Sequence, residues 1–287
     1  MRAIVTGGAG FVGTNLIKRL VKDGHKVVSL DNYSTGFKEN EQKGCQYFDV
    51  DISKTKDYSF FMNKPDVMFH LAALARIQPS IKNPFPAIEN NFNGTLNVLE
   101  WTRHNNAQVI YAGSSTKHHG VYKSPYAWSK YGGEQLCELY SKVYDLNTCI
   151  CRFYNAYGEH HIRTGDYATV VGIFEGQYMN NEPLTITSDG EQRRDFTHID
   201  DIVDGLIRCV GKDFRAEEFE LGRGINYSIN EIAKMYGENY PTKYIPERPG
   251  EYPETLCDDT NARDILNWIP KKYIKNYITK WLEENKK

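Results

Sequence analysis

Residues 113–130 read GSSTKHHGVYKSPYAWSK, in which Tyr126 and Lys130 stand four residues apart and Ser114 lies twelve before the tyrosine. Pro125 fits the first turn of a helix, where its missing N–H costs nothing. On that helix Tyr126 and Lys130 share a face. An ammonium beside a phenol favours the phenolate, so the pair is expected to draw a group that titrates near about 10 toward general-base range. Ser114, at the end of the strand-like run Gln108–Ala112, is placed to hydrogen-bond the same substrate oxygen. These residues can deprotonate a hydroxyl, but alone they do not say which reaction follows.

A second chemical signal lies at the N-terminus. Gly7, Gly10 and Gly13 follow the strand-like run Arg2–Thr6 and open a helix, with Phe11 and Val12 between the last two. This spacing is a variant of the dinucleotide fingerprint. Gly7 permits the tight turn, Gly10 lets backbone approach a pyrophosphate, and Gly13 lets helix pack on strand. The helix N-terminus offers unpaired N–H groups to phosphate. Asp31 ends the second strand and is suited to an adenosine ribose. Its charge disfavours a 2′-phosphate and no arginine follows closely, so NAD is expected rather than NADP.

These residues need a frame. Apolar strand-like runs at 2–6, 26–30, 45–49, 66–71, 108–112 and 147–152 alternate with helical patterns, among them the stripe Leu16, Ile17, Leu20, Val21 and the stripe Leu136, Leu139, Tyr140, Val143. Such alternation predicts an α/β fold, a Rossmann-type doubly wound parallel sheet. Residues 1–157 are expected to form the NAD-binding domain, with part of 190–222 returning to it. Residues 158–287 are expected to form mainly a smaller substrate-binding lobe, with helices near 199–211, 228–238 and 271–285. No internal repeat is visible.

Composition narrows the partners. The net charge of −2 comes without a basic block, which argues against nucleic acid. No apolar run reaches membrane-spanning length, and the N-terminus reads as a strand rather than a signal peptide. A cytoplasmic protein is therefore expected. Of the six cysteines, Cys149 and Cys151 read as small buried hydrophobes. Glu283–Lys287 reads as a solvated helix end.

Further motifs complete a resemblance. They are Asn32-Tyr33-Ser34-Thr35-Gly36 after Asp31, Asp51-Ile52, His70-Leu71-Ala72-Ala73, Asn91 with Gly94-Thr95, Arg152 through Gly158, Asp189 through Phe196, and Arg248-Pro249-Gly250. Over nearly its whole length the chain resembles the extended short-chain dehydrogenase/reductases of the nucleotide-sugar epimerase/dehydratase family, and most closely the UDP-hexose 4-epimerases. The resemblance implies NAD held by Gly7, Gly10, Phe11, Val12, Gly13, Asp31, Asn32, Ser34, Thr35, Gly36, Asp51, Ile52, Leu71, Ala72, Ala73, Asn91, Tyr126 and Lys130. It makes Tyr126 the base, Ser114 and Thr116 hydrogen-bond partners of the sugar O4, and Lys130 the holder of the nicotinamide ribose. Asn155, Arg194, Arg248, Glu251 and Thr255 would face the nucleotide sugar. A homodimer is implied through helices near 85–104 and 126–144, forming a four-helix bundle.

Sister enzymes differ in acids near the serine. The 4,6-dehydratases carry an Asp-Glu pair there and the decarboxylases a glutamate, whereas this chain has Ser115 and Thr116. The reductases use a cysteine and a histidine; no cysteine occurs in 108–130, though His118 and His119 do. Epimerisation at C4 is the default. The segment between Ser114 and Tyr126 is shorter than the family's, as is the one after Gly158, which leaves the sugar open: glucose, galactose or their N-acetylated amines. The pairs His118-His119 and His160-His161 diverge on helix or strand and lack the spacing of a zinc site, so no metal is expected. Asp200, Asp201 and Asp204 suit a helix start. Tyr273, Tyr277 and Trp281 suit a packed helix face.

Overall fold

The computed structural model describes residues 1–285. Lys286 and Lys287, part of the expected solvated helix end, lie outside the described residues. The chain runs through β1 (Arg2–Thr6), α1 (Phe11–Lys22), β2 (Lys26–Asp31), β3 (Cys45–Asp49) and β4 (Val67–His70), then the helices α2 (Ile77–Lys82), α3 (Pro84–Ile88) and α4 (Gly94–Arg103). β5 (Gln108–Ser114), α5 (Pro125–Tyr144) and β6 (Thr148–Phe153) follow. The remainder holds β7 (Asn155–Tyr157), α6 (Val170–Met179), β8 (Leu184–Thr187), β9 (Arg193–His198), α7 (Ile199–Arg208) and β10 (Arg215–Leu221). It ends with β11 (Asn226–Ser228), α8 (Ile229–Met235), β12 (Thr242–Ile245), α9 (Asn261–Leu266) and α10 (Ile274–Glu284).

β4 and β5 are buried along their whole length. Strands without a polar face need cover on both sides, which a parallel sheet flanked by helices supplies. Seven parallel strands, among the described residues, order as β10-β6-β5-β4-β1-β2-β3. One core packs α1 and α7 on the sheet through Leu16, Leu20, Ile202 and Leu206. The other packs α4 and α5 through Val98, Leu99, Leu136 and Tyr140. The stripe read on α5 is split: Leu136 and Tyr140 are buried, while Leu139 and Val143 are 48% and 60% exposed.

Strand order reverses between β1, whose neighbours are β2 and β4, and that switch point opens a crevice beyond the carboxyl ends of the strands. β9 joins β7 and β11 in a small mixed sheet, and β12 pairs with β8. A third core, built on Phe174, Tyr236, Ile278 and Trp281, fastens these to α6, α8 and α10. Tyr277 and Trp281 pack as a helix face there, while Tyr273 stacks under the Arg223 guanidinium. Asp200 and Asp201 fall in the first turn of α7, and Asp204 pairs with Arg208 at 2.7 Å.

Candidate active site

One cavity of about 970 Å³ runs from the β1–α1 turn, across the switch point, to the segment around Thr255. At its first end the glycine turn is closed by backbone. Gly7 has φ +74°, and a Cβ on Gly13 would lie 2.1 Å from the Gly7 carbonyl oxygen. Asp31 braces the turn, accepting from Ala9 N–H at 2.9 Å and Tyr33 N–H at 2.8 Å. Burial raises the pKa of its carboxyl. His70 fixes the neighbouring strand ends through Thr6 Oγ1 at 2.8 Å and Thr95 Oγ1 at 2.9 Å, and burial drives its pKa down to about 3, so it is a neutral bridge.

The second cluster sits where β5 ends. Ser114 Oγ accepts from the Thr116 hydroxyl at 2.9 Å and from the Tyr126 hydroxyl at 3.3 Å. Ser124 caps α5, accepting from Ala127 N–H, and Ser80 accepts from Tyr126 N–H, so the first turn that carries the tyrosine is fixed at both sides. Lys130 is buried one turn on, its ammonium 4.2 Å from the Tyr111 ring centre, and burial pushes its pKa down to about 8. The depressed Tyr126 pKa expected from the lysine is not found. Burial dominates and raises it, opposed by the Ser114 hydrogen bond and by the charge of Arg76.

Beneath Ser114 lies a buried charge cluster. Glu134 accepts from Ser114 N–H at 3.2 Å and pairs with Arg152 at 2.8 Å, each side chain 1% exposed. Arg152 also reaches Glu218 and Glu220 on β10. Those two carboxylates return to the turn after β5, pairing with Lys117 at 2.7 Å and His118 at 2.8 Å. Hydrogen bonding to Glu220 raises the pKa of His118. A second cluster holds the segment after Gly158: buried Glu175 takes His161 at 2.8 Å, Arg163 at 2.9 Å and Tyr277 at 2.8 Å.

Most residues singled out from the sequence meet in this cavity. Gly7, Gly10, Phe11, Val12, Gly13, Asp31, Asn32, Ser34, Thr35, Ile52, Leu71, Ala72 and Ala73 line its first part, and Ser114, Thr116, Tyr126 and Lys130 its middle. Asn155, Arg194, Arg248, Glu251 and Thr255 line its far end. Gly36, Asp51 and Asn91 stand one step back. Gly36 packs on Ala9, Asp51 turns its carboxylate to Ser53 and Lys54, and Asn91 holds the Leu74 backbone and Ser129 from a π-turn at Glu89–Asn93. Val50 rather than Asp51 reaches the cavity.

Sequence reasoning missed Arg76, which lines the cavity just after Leu71-Ala72-Ala73 with a hydrogen bond to Ala75 O and no carboxylate partner among the described residues. It also missed Tyr252, which lines the cavity together with His119 and Tyr167. The histidine pairs diverge, as expected: His118 turns to Glu220, His161 to Glu175 and His160 to Asn40. Cys149, Cys151 and Cys209 bring their sulfurs within 4.8 Å of one another, fully buried in the α7 core.

Rossmann enzymes that work through a bound dinucleotide are the class in which such a cleft occurs. More particularly, the chain belongs to the NAD dependent epimerase/dehydratase family, whose pattern residues 3–222 match. NAD is the cofactor of that family, and the backbone-closed glycine turn with Asp31 beside it suits an adenine dinucleotide. The chain is similar to UDP-glucose 4-epimerase of Mycolicibacterium smegmatis, 32% identical over 309 aligned positions that cover 99% of this chain and 98% of that one. Since this chain has 287 residues, at least 22 of those positions are gaps in it (309 − 287). It is also similar to UDP-N-acetyl-alpha-D-glucosaminuronate decarboxylase of Bacillus cytotoxicus, 30% identical over 81% of this chain and 78% of that one. The structure of UDP-glucose 4-epimerase from Thermotoga maritima with UDP-glucose superposes with a TM-score of 0.92 at 27% identity, covering 100% of both chains.

Proposed function

We propose that the chain epimerises a UDP-sugar at C4, acting on UDP-glucose and UDP-galactose or on their N-acetylated counterparts. The observation that carries this reading is the hydrogen-bonded Thr116–Ser114–Tyr126 cluster beside buried Lys130, opposite the glycine turn. Tyr126, ionised to the phenolate, takes the proton of the sugar 4-hydroxyl while Ser114, aligned by Thr116, holds O4. NAD, when bound, supplies the acceptor that removes hydride from C4 and later returns it. Lys130 holds the nicotinamide ribose, and Asn155, Arg194 and Arg248 hold the nucleotide diphosphate, guanidinium suiting phosphate through paired donors. Glu251 and Thr255 flank the sugar. Of these, Arg194 is half-buried beside Glu251 at 3.6 Å and Arg248 is exposed.

In this reading residues 1–157 with part of 190–222 form the cofactor domain, and 158–287 mainly the substrate lobe. A homodimer forms through α3–α5, where Phe85, Leu96, Trp128, Leu139 and Val143 leave an apolar face exposed; a monomer in sedimentation would remove that part. The cytoplasmic location rests on six unpaired cysteines. No described helix is long and apolar enough to cross a membrane. Similarity to a decarboxylase favours a second reading, another nucleotide-sugar reaction on the same machinery. Thr116, where the decarboxylases are expected to carry a glutamate, weighs against it.

The test is incubation of the NAD-loaded protein with UDP-glucose, UDP-GlcNAc and their galacto epimers, with products resolved by chromatography and mass. Interconversion without mass change is expected, and Tyr126→Phe abolishes it. Loss of water or carbon dioxide, or no interconversion of any pair, overturns the assignment.

A further inference from the structure

Three side chains that line the cavity carry a buried polar atom with no hydrogen-bond partner: His119 at Nε2, Tyr252 at Oη and Gln192 at Oε1, of which the first two adjoin one another. Tyr252 is only 5% exposed. Their rings face one another, centroids 5.1 Å apart at 39°, and the Lys123 ammonium sits 5.1 Å from the Tyr252 ring centre. The pairing follows from the shortened turn. With only two short 3-10 turns between Ser114 and α5, the segment around Tyr252 settles directly onto that turn. Gln78 holds it through Pro249 O at 2.7 Å, and Gly250 lies against Ile77, Ile81 and Lys123.

An orphaned polar atom in a dry wall costs stability, so two of them converging on a cavity point to a ligand that completes them. Their position says which part. Tyr252 lies within electrostatic reach of both Tyr126 and Arg194. On the proposed reading Tyr126 marks the sugar C4 and Arg194 the diphosphate, so the hexose ring lies between. Both groups are neutral. Burial raises the phenol pKa of Tyr252, and burial together with His118, Arg194 and Lys123 lowers that of His119.

We propose that His119 and Tyr252 form an uncharged hydrogen-bonding clamp on the ring substituents of the sugar, selecting neutral hexoses or N-acetylhexosamines over hexuronates. The proposal rests on the nucleotide-sugar reading. Each atom can donate or accept, which suits a hydroxyl or an amide, and neither offers the fixed positive charge that a carboxylate needs.

The experiment uses NAD-loaded protein and calorimetric titration with UDP, UDP-glucose, UDP-GlcNAc and UDP-glucuronate. Tyr252→Phe and His119→Phe keep the stacked rings and remove one hydrogen-bonding atom each. Both are expected to bind UDP as the wild type does while losing about 3- to 10-fold in affinity for the neutral UDP-sugars, the range of one hydrogen bond. Wild type is expected to bind UDP-glucuronate more weakly than the neutral sugars, and the variants to narrow that gap. Equal losses for UDP and UDP-sugars, or no loss in either variant, overturn the clamp. Wild type that prefers UDP-glucuronate overturns the neutral selectivity. Wild type that binds neither UDP nor any UDP-sugar overturns the nucleotide-sugar reading, and the clamp with it.

Discussion

Glu134 does not touch the cavity, yet its removal is expected to be among the costliest single changes. Its carboxylate takes the Ser114 amide at 3.2 Å, and Arg152 Nε and Nη2 at 3.1 and 2.8 Å, in a site with both partners 1% exposed. Glu134→Ala leaves a buried guanidinium short of a partner and the Ser114 amide without its carboxylate acceptor. Breaking a buried ion pair costs about 3–5 kcal/mol. Arg152 keeps Glu218 and Glu220, so the lower end, about 3 kcal/mol, applies. At about 2–4 °C per kcal/mol for chains of this size, the midpoint falls by about 6–12 °C in calorimetry. Because the freed amide belongs to Ser114, kcat falls too, beyond what unfolded protein explains. Glu134→Gln, which keeps a carbonyl for the amide, is expected to lie between. The control is Glu218→Gln: that carboxylate is 39% exposed, and about 1 kcal/mol or less is expected. An Ala variant within about 2 °C of wild type, or a Glu218→Gln that falls as far, refutes the reasoning.

Gly13→Ala places a methyl 2.1 Å from the Gly7 carbonyl oxygen and 2.6 Å from Gly8 Cα, so the turn must open. The purified variant is expected to lose most of its NAD, read by absorbance after denaturation, and retention at wild-type stoichiometry would contradict the cradle. Lys130→Met is expected to raise the unfolding temperature at pH 7 while abolishing turnover, because a buried ammonium is exchanged for an apolar side chain of similar length. The folded chain holds that proton more weakly than the unfolded chain, with a pKa near 8 against 10.5. Wild type therefore gains on the variant as pH rises from about 8 to 10.5, and carries the full penalty below 8. Stability curves that stay parallel across that window would count against the depressed lysine.

Local signals carried most of what the sequence revealed. The glycine turn, Asp31 and the Tyr126–Lys130 pair are each set by one strand end and one helix start, so spacing alone places them. β1 to β6 were legible because their apolar runs are bounded by turns. β10 was not, since RAEEFEL carries acids at the half-exposed Glu218 and the buried Glu220, and only the distant Arg152 explains them. Arg76 and Tyr252 escaped for the same reason: residues far apart in sequence bring them to the cavity. The assumption that Lys130 would depress the Tyr126 pKa failed because proximity along a helix says nothing of burial, which acts on both groups.

The late position of β10 has a consequence for the growing chain. β6 is synthesised some sixty residues before its outer neighbour, and until then its buried apolar run TCICRF is an open sheet edge. In that interval Arg152 has Glu134 but neither acid of β10, and the turn bearing Lys117 and His118 has nothing to grip. An unpaired apolar edge is where nascent chains meet one another. The strand that seals this edge is the one that clamps the turn after Ser114, so a ribosome-bound intermediate is at once most prone to aggregate and unable to catalyse.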